Sequence, residues 1–405
     1  MSRLRPPAPP LTGPVASGAG PTAAGVTHRQ RPRILGATPS LPPSAGTQEA
    51  ASASGRVVNP GVAVAGWAHA LPERRVTNHD LARTLDTSDQ WIVERTGIRE
   101  RRVAAAGEST GPLAVAATRM ALDRARVAPG DVDLVVVATS TPERPIPATA
   151  AIVAAELRIA GGAFDLNAAC AGFVYGLATT AALVGQGMAR TAVLVGADTM
   201  TSVTDPDDRA TAVLFGDAAA ALVLTGTGGP TPTNGDHAQP APSSATATPG
   251  LLACDLVGDP GGIDLLVVPA GGSARPATTE TVASGEHYLR MDGREVFRRA
   301  VRAVTASVER TLARAGCGAD DVTWFAPHQA NARIVDAVLP RIGVPAERTL
   351  SNVDRFGNTS AASIPLALAE EADAGRLAPG DLLLLCGFGA GLTVGTALWR
   401  WGPPA

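Results

Sequence analysis

The chain of 405 residues contains no lysine, and all 34 of its basic residues are arginine. Beside the abundant alanine, glycine and proline this is a coding bias toward G and C, without mechanistic weight. The net charge is -3 and aromatic residues make up only 3%. A chain with neither a basic excess nor an aromatic-interleaved basic stripe is poorly equipped to hold nucleic acid. No apolar run reaches the roughly 18 residues that a membrane helix requires, so no membrane association is expected. Cysteine is scarce as well: Cys170, Cys254, Cys317 and Cys386 stand far apart with no CxxC pair. Neither a disulfide framework nor a metal site is expected, and a cytoplasmic location fits best.

What is present suits a globular protein with a sizeable core: 45% of residues are hydrophobic and 18% charged. Residues 1–55 are rich in Pro, Ala, Gly and Ser without apolar periodicity, which predicts a disordered tail. Its arginines and lack of acid before Glu49 match the composition of a transit peptide, but a floppy tail is the simpler reading. Residues 228–250 (GGPTPTNGDHAQPAPSSATATPG) predict a flexible insertion between two strands.

The rest is written twice. Residues 129–141 (PGDVDLVVVATST) correspond to 317–329 (CGADDVTWFAPHQ), and the apolar strands 191–196 (TAVLVG) and 381–386 (DLLLLC) correspond likewise. Each half has a buried helix, one opening at Cys170 and one near Asn358, and each closes on a Gly-rich strand, 216–224 and 389–398. Two such halves, 56–227 and 251–405, would stack their sheets on either side of the buried helices as an α/β/α/β/α core.

Cys170 organises this plan. The stretch 164–185 (FDLNAACAGFVYGLATTAALVG) reads as a strand end followed by a helix apolar on every side. Free N–H groups and the positive end of the helix dipole at that junction predict a thiolate. A buried cysteine also serves as an ordinary small hydrophobe. His328 follows a strand, and Asn358 lies in a Gly-flexed turn. Alone, the first suits a bonded loop histidine and the second a helix cap. Together with Cys170, at the strand and helix ends of two half-repeats, they give a nucleophile and two donors aimed at one point.

Six segments carry a resemblance: TSDQWIVERTGIRERR (87–102), FDLNAACAGF (164–173), DPDDRATAVLFGDAAAA (205–221), PHQANARI (327–334), RFGNTSAAS (355–363) and FGAGLTVG (388–395). In these the chain resembles the β-ketoacyl-acyl-carrier-protein synthase III family of the thiolase-like superfamily. The resemblance implies a thiolase-like five-layer fold and decarboxylative condensation of a short acyl-CoA with malonyl-acyl-carrier-protein, initiating fatty-acid synthesis. Cys170 would be the nucleophile, His328 and Asn358 the donors to the malonyl thioester, and the backbone N–H groups of Cys170 and Ala390 the oxyanion hole. CoA would lie along Trp91, Arg95, Thr96, Arg209 and Asn331. Unaided, Trp91 reads as a helix anchor and Arg209 as a salt-bridge partner of Asp205 or Asp207. The carrier protein would meet Gln329, Ala330, Asn331, Ala332 and Arg333, with Arg298 and Arg341 completing a basic patch, or else a solvated charged face. The family's homodimer is implied, and no cofactor.

The chain departs from the family at Ile146, where many members have a Phe that reaches across the dimer to wall the acyl pocket; Met200 is a second candidate wall residue. A smaller wall predicts a longer or branched primer. The competing readings are a priming ketosynthase of a polyketide pathway, a cysteine hydrolase with the same three residue types, and a non-catalytic carrier-binding subunit.

Overall fold

The computed structural model describes residues 61–227 and 248–402. The expectations for residues 1–55 and for most of the 228–250 insertion lie outside them. The first half runs β1 (Val62–Ala70), α1 (Asp89–Thr96), α2 (Thr110–Ala125), β2 (Leu134–Ala138), α3 (Thr149–Leu157), β3 (Gly162–Leu166), α4 (Gly172–Gly185), β4 (Thr191–Thr199) and β5 (Asp217–Gly226). The second runs β6 (Gly250–Gly258), α5 (Gly293–Ala315), β7 (Trp324–Pro327), α6 (Ala332–Ile342), α7 (Ser363–Asp373), β8 (Leu382–Gly389) and β9 (Thr393–Arg400).

The central strands are continuous apolar runs because both of their faces are covered. In the first sheet the order is β1-β5-β4-β2-β3, with β2 parallel to β3 and β4, and β5 antiparallel to β4 and β1. The second repeats this as β7-β8-β9-β6, with β7 parallel to β8 and the remaining pairs antiparallel. Among the described residues it has no counterpart of β3; a single parallel bridge between Phe325 and Thr349 stands there instead.

Phe173, Leu177 and Val184 of α4 and Ile364 and Leu368 of α7 fill the space between the sheets, against Leu194 and Leu222 on one side and Leu383, Leu385 and Trp399 on the other. Leu113, Ala117 and Ala121 of α2 and Val153 of α3 cover the outer face of the first sheet. Val301, Val304 and Val308 of α5 and Ile334 and Val338 of α6 cover that of the second. These are the five expected layers, and the described residues group as one compact unit. The halves interlock at two glycines: a Cβ on Gly387 would meet Ala171 Cα at 2.9 Å, and one on Gly196 would meet Ala361 O at 2.3 Å. The join is closed where the Val62 N–H donates to Pro249 O at 3.1 Å and the Val64 N–H to Gly402 O at 3.2 Å. Among the described residues no helix is long and apolar enough to cross a membrane.

Candidate active site

Beyond β3 the chain turns on Asn167, whose Oδ1 accepts the Ala169 N–H at 3.0 Å. Ala169 takes φ 48°, a short 3-10 turn spans Ala169–Ala171, and α4 begins at Gly172. Cys170 is thus two residues ahead of the helix and 6% exposed. The expected thiolate meets an opposing effect here. Burial pushes the Cys170 thiol up to about 12, with the Asp198 carboxylate adding to the rise, so loss of water works against the ionisation that the helix end favours.

Asn358 is gripped by the first half. Its N–H donates to Leu214 O at 2.8 Å and its C=O accepts from the Gly216 N–H at 3.0 Å. Its Oδ1 accepts the Ser360 N–H at 2.8 Å, so the Nδ2 amide is the end left to face a ligand. His328 follows β7, its N–H bonded to Cys386 O at 2.8 Å. Its Nδ1 lies 2.7 Å from Ser363 Oγ, which also receives the Gln329 N–H at 3.4 Å. When the Ser363 hydroxyl donates to Nδ1 the ring proton is on Nε2, the tautomer in which His328 offers a donor to the cavity. Burial lowers the His328 proton affinity to about 3, so the imidazole is neutral. It is a hydrogen-bond donor rather than a cation. The Phe388 ring meets it edge-on at 5.4 Å.

These side chains face one cavity of about 210 Å³, which Trp91, Arg95, Thr96, Ala330 and Asn331 also line. A larger one of about 770 Å³ lies nearby and contains none of the three; Phe215 walls both. Trp91 lines it with the Arg95 guanidinium 4.5 Å and the Arg209 guanidinium 4.8 Å from its ring centre. Arg209 bonds to Asp86 O at 2.7 Å, and its ion pair is with Asp86 at 3.7 Å, not with Asp205 or Asp207. The Thr96 hydroxyl is committed to Ile92 O and the Ile98 N–H. Asn331 caps α6 through the Arg333 N–H and bonds to Arg95 O at 3.1 Å.

Several expectations are redrawn. Gln329 is 2% exposed, with Nε2 donating to Pro327 O and Leu350 O and Oε1 accepting the Asn352 N–H. It braces the second sheet and offers nothing to a carrier. Ala330 is buried in the cavity wall, whereas Arg333 reaches the Phe297 ring at 6.0 Å. Ala332 is half-buried at the first position of α6. Arg298 is paired with Glu295 at 2.6 Å, and Arg341 bonds to the Ala337 carbonyl. Met200 does not line the cavity; it packs behind the wall on Phe215 and Met291, because the chain turns inward immediately after β4. Ile146 is 86% exposed. Phe388 and Gly389 line the cavity, while Ala390 opens the turn beyond them.

Three residues escaped the sequence reading: Ser363, which holds His328 Nδ1; Gly389, whose added Cβ would stand 2.5 Å from Cys170 N; and the buried Asp198. The signal for the last two was an unequal pair, since 193–198 reads VLVGAD where 384–389 reads LLCGFG.

A doubled sheet topology, with a thiol on the turn of one half faced by donors from the other, is that of the thiolase-like condensing enzymes, which transfer acyl groups. The model of 3-oxoacyl-[acyl-carrier-protein] synthase III matches residues 164–236, and that of its C-terminal part matches 312–401. A β-ketoacyl-[acyl-carrier-protein] synthase III from Roseiflexus castenholzii is 47% identical over 340 residues, covering 84% of this chain and 98% of its own. One from Rhodopirellula baltica is 46% identical over 347 residues, covering 84% and 99%. The solved structure of the Pseudomonas aeruginosa synthase III aligns with TM-score 0.73 at 43% identity, over 85% of this chain and 99% of that one. The priming β-ketosynthase of the R1128 polyketide pathway aligns with TM-score 0.75 at 34%, over 85% and 97%. The chain belongs to the β-ketoacyl-[acyl-carrier-protein] synthase III family, the condensing enzymes that initiate fatty-acid synthesis.

Proposed function

We propose that Cys170 takes an acyl group from a short acyl-CoA and that His328 and Asn358 then direct malonyl-acyl-carrier-protein onto it. The carrying observation is that one cavity holds the thiol and both donor side chains. Sulfur attacks the thioester carbonyl, the N–H groups of Cys170 and Ala390 receive the oxyanion, and CoA leaves. The malonyl thioester oxygen then accepts from His328 Nε2 and Asn358 Nδ2. As the malonyl carboxylate departs as carbon dioxide, its electron pair forms an enolate held by these donors, at about 3 kcal/mol each. The enolate carbon attacks the acyl-cysteine, and the Cys170 sulfur is the leaving group. The chemistry is carried by side chains and peptide groups without a resident cofactor.

Trp91 and Arg209 bracket the adenine of CoA. Since Arg209 already rests over Trp91, the purine enters by displacing it. Arg95, Thr96 and Asn331 follow the pantetheine arm, Thr96 and Asn331 through shape and backbone because their polar groups are engaged. Arg298, Arg333 and Arg341, with Ala332, receive an acidic carrier helix. A homodimer is supported by β3, an outer strand with only half-buried residues over Ala163, Phe164 and Leu166. It is supported too by the exposed Ile146: a partner's Ile146 loop entering the larger cavity would press on Phe215 and shape the acyl site. The setting is the cytoplasm.

Intact mass after incubation with a panel of acyl-CoAs, then malonyl-acyl-carrier-protein, tests the proposal. An acyl adduct that maps to Cys170 and disappears on addition of the malonyl carrier is expected. No adduct with any acyl-CoA, or an adduct retained by Cys170→Ala, overturns it.

A further inference from the structure

A neutral His328 can donate into the cavity only if its single ring proton sits on Nε2, and its neighbours make that choice. Nδ1 has one polar neighbour among the described residues, Ser363 Oγ at 2.7 Å. Apolar groups crowd the rest of the ring: Phe388 stands edge-on at 5.4 Å, and Val304, Ile334 and Val338 wall the void of about 10 Å³ that His328 adjoins.

Two arrangements fit that 2.7 Å. In one, the Ser363 hydroxyl donates to Nδ1. In the other, Nδ1–H donates to Oγ and the hydroxyl proton must find a different acceptor. Among the described residues Oγ has no such acceptor, because its second bond comes from the Gln329 N–H at 3.4 Å, itself a donor. Ser363 is fully buried, so the proton would be shut away from water unpaired. The first arrangement satisfies the hydroxyl and Nδ1 together.

The helix does not explain the serine. Ser363 is the first residue of α7, which has no side-chain cap. The equivalent position of the other half, as far beyond Asn167 as Ser363 is beyond Asn358, is Gly172, which opens α4 without a side chain. A helix start that is served by glycine does not call for a hydroxyl; the imidazole does.

We propose that Ser363 is the positioning residue of His328: its hydroxyl donates to Nδ1, keeps the ring proton on Nε2 and aims it at the substrate oxygen. Each donor of the cavity is then fixed from behind, Asn358 by the Ser360 N–H on its Oδ1 and His328 by a side chain. The substrate oxygen belongs to the condensation proposed above, and to that extent the inference rests on that reading; the tautomer does not.

The chain has 6 histidines, so protein labelled with nitrogen-15 in the imidazoles gives a spectrum in which His328 is found by its absence from His328→Asn. At neutral pH, where burial keeps the ring uncharged, the parent should show an unprotonated Nδ1 and a protonated Nε2. The reverse pattern, or an even average, overturns the proposal. In Ser363→Ala neither nitrogen is held, and the two signals should move toward an average. Carbon dioxide release from malonyl-acyl-carrier-protein should fall about 10-fold, the lower end of what losing a partner that orients an imidazole costs, while alkylation of Cys170 by iodoacetamide stays close to the parent rate. Release at the parent rate overturns the proposal. So does an equal loss of release and alkylation, which would make Ser363 a structural residue. Ser363→Cys restores a side chain of similar shape with a weak donor and should match Ser363→Ala; parent-like release there would make volume the cause and overturn the proposal. Should Ser363→Ala fail to fold, the parent spectrum and Ser363→Cys decide alone. If the parent releases no carbon dioxide, the condensation reading fails while the spectra still decide the tautomer.

Discussion

The turn carrying Cys170 and the turn carrying Asn358 are one structure used twice. In each, an asparagine Oδ1 accepts the N–H two residues on, at 3.0 Å from Asn167 and 2.8 Å from Asn358. A residue at φ 48° or 51° follows, then a 3-10 turn and a buried helix. They differ in what meets the next amide. The Ala361 N–H is taken by the Asp198 carboxylate at 3.0 Å. The Cys170 N–H faces Gly389, and among the described residues no backbone acceptor pairs with it. By strand register Gly389 is the counterpart of Asp198. One half spends its amide on folding; the other leaves it open beside Gly389, as the oxyanion donor proposed above requires.

The sharpest way to break the contrast is to fill the open side. Gly389→Ala sets a methyl 2.5 Å from Cys170 N, and CoA release in a burst assay should fall on the order of 100- to 1,000-fold, the usual cost of an oxyanion donor. Asn358→Asp keeps an acceptor for the Ser360 N–H but replaces the outward donor. Carbon dioxide release should drop roughly 100-fold while Cys170 still acylates; equal loss of both steps would mean the amide acts on the turn instead.

His328 yields a gentler test through pH. Its folded proton affinity, about 3, lies below the unfolded value of roughly 6.5, so the unfolded chain binds the extra proton in between. Its contribution to stability is whole above about pH 6.5 and is lost as pH falls toward 3, by at most about 1.4 kcal/mol per unit. In urea titrations over that window His328→Asn should flatten the decline by one proton's worth. The smallest effect is at the mouth: Trp91→Ala should raise KM for acyl-CoA about 10-fold with kcat little changed, the scale of one lost base stack.

Much of this was legible because strands covered on both faces must be apolar along their length, and because the repeat set Cys170, His328 and Asn358 at equivalent ends. What could not be read depended on distance and burial. The Cys170 thiol was expected to ionise from its place before a helix, but its loss of water is set by two sheets closing over it. Gln329 looked like a surface contact, and only the 350–352 segment folding beside β7 consumes its amide. Asp198 meets its Ala361 partner across 163 residues of chain. Met200, one residue beyond β4, lost its place on the wall to Phe215.

The bonds from Val62 to Pro249 and from Val64 to Gly402 mean that the described region starts and stops at the same spot. Joining residue 402 to residue 61 and opening the gene between β5 and β6 would yield a circular permutant in which the His328 half leaves the ribosome first. Such a permutant should complete the same two sheets, with synthesis order changed and architecture kept.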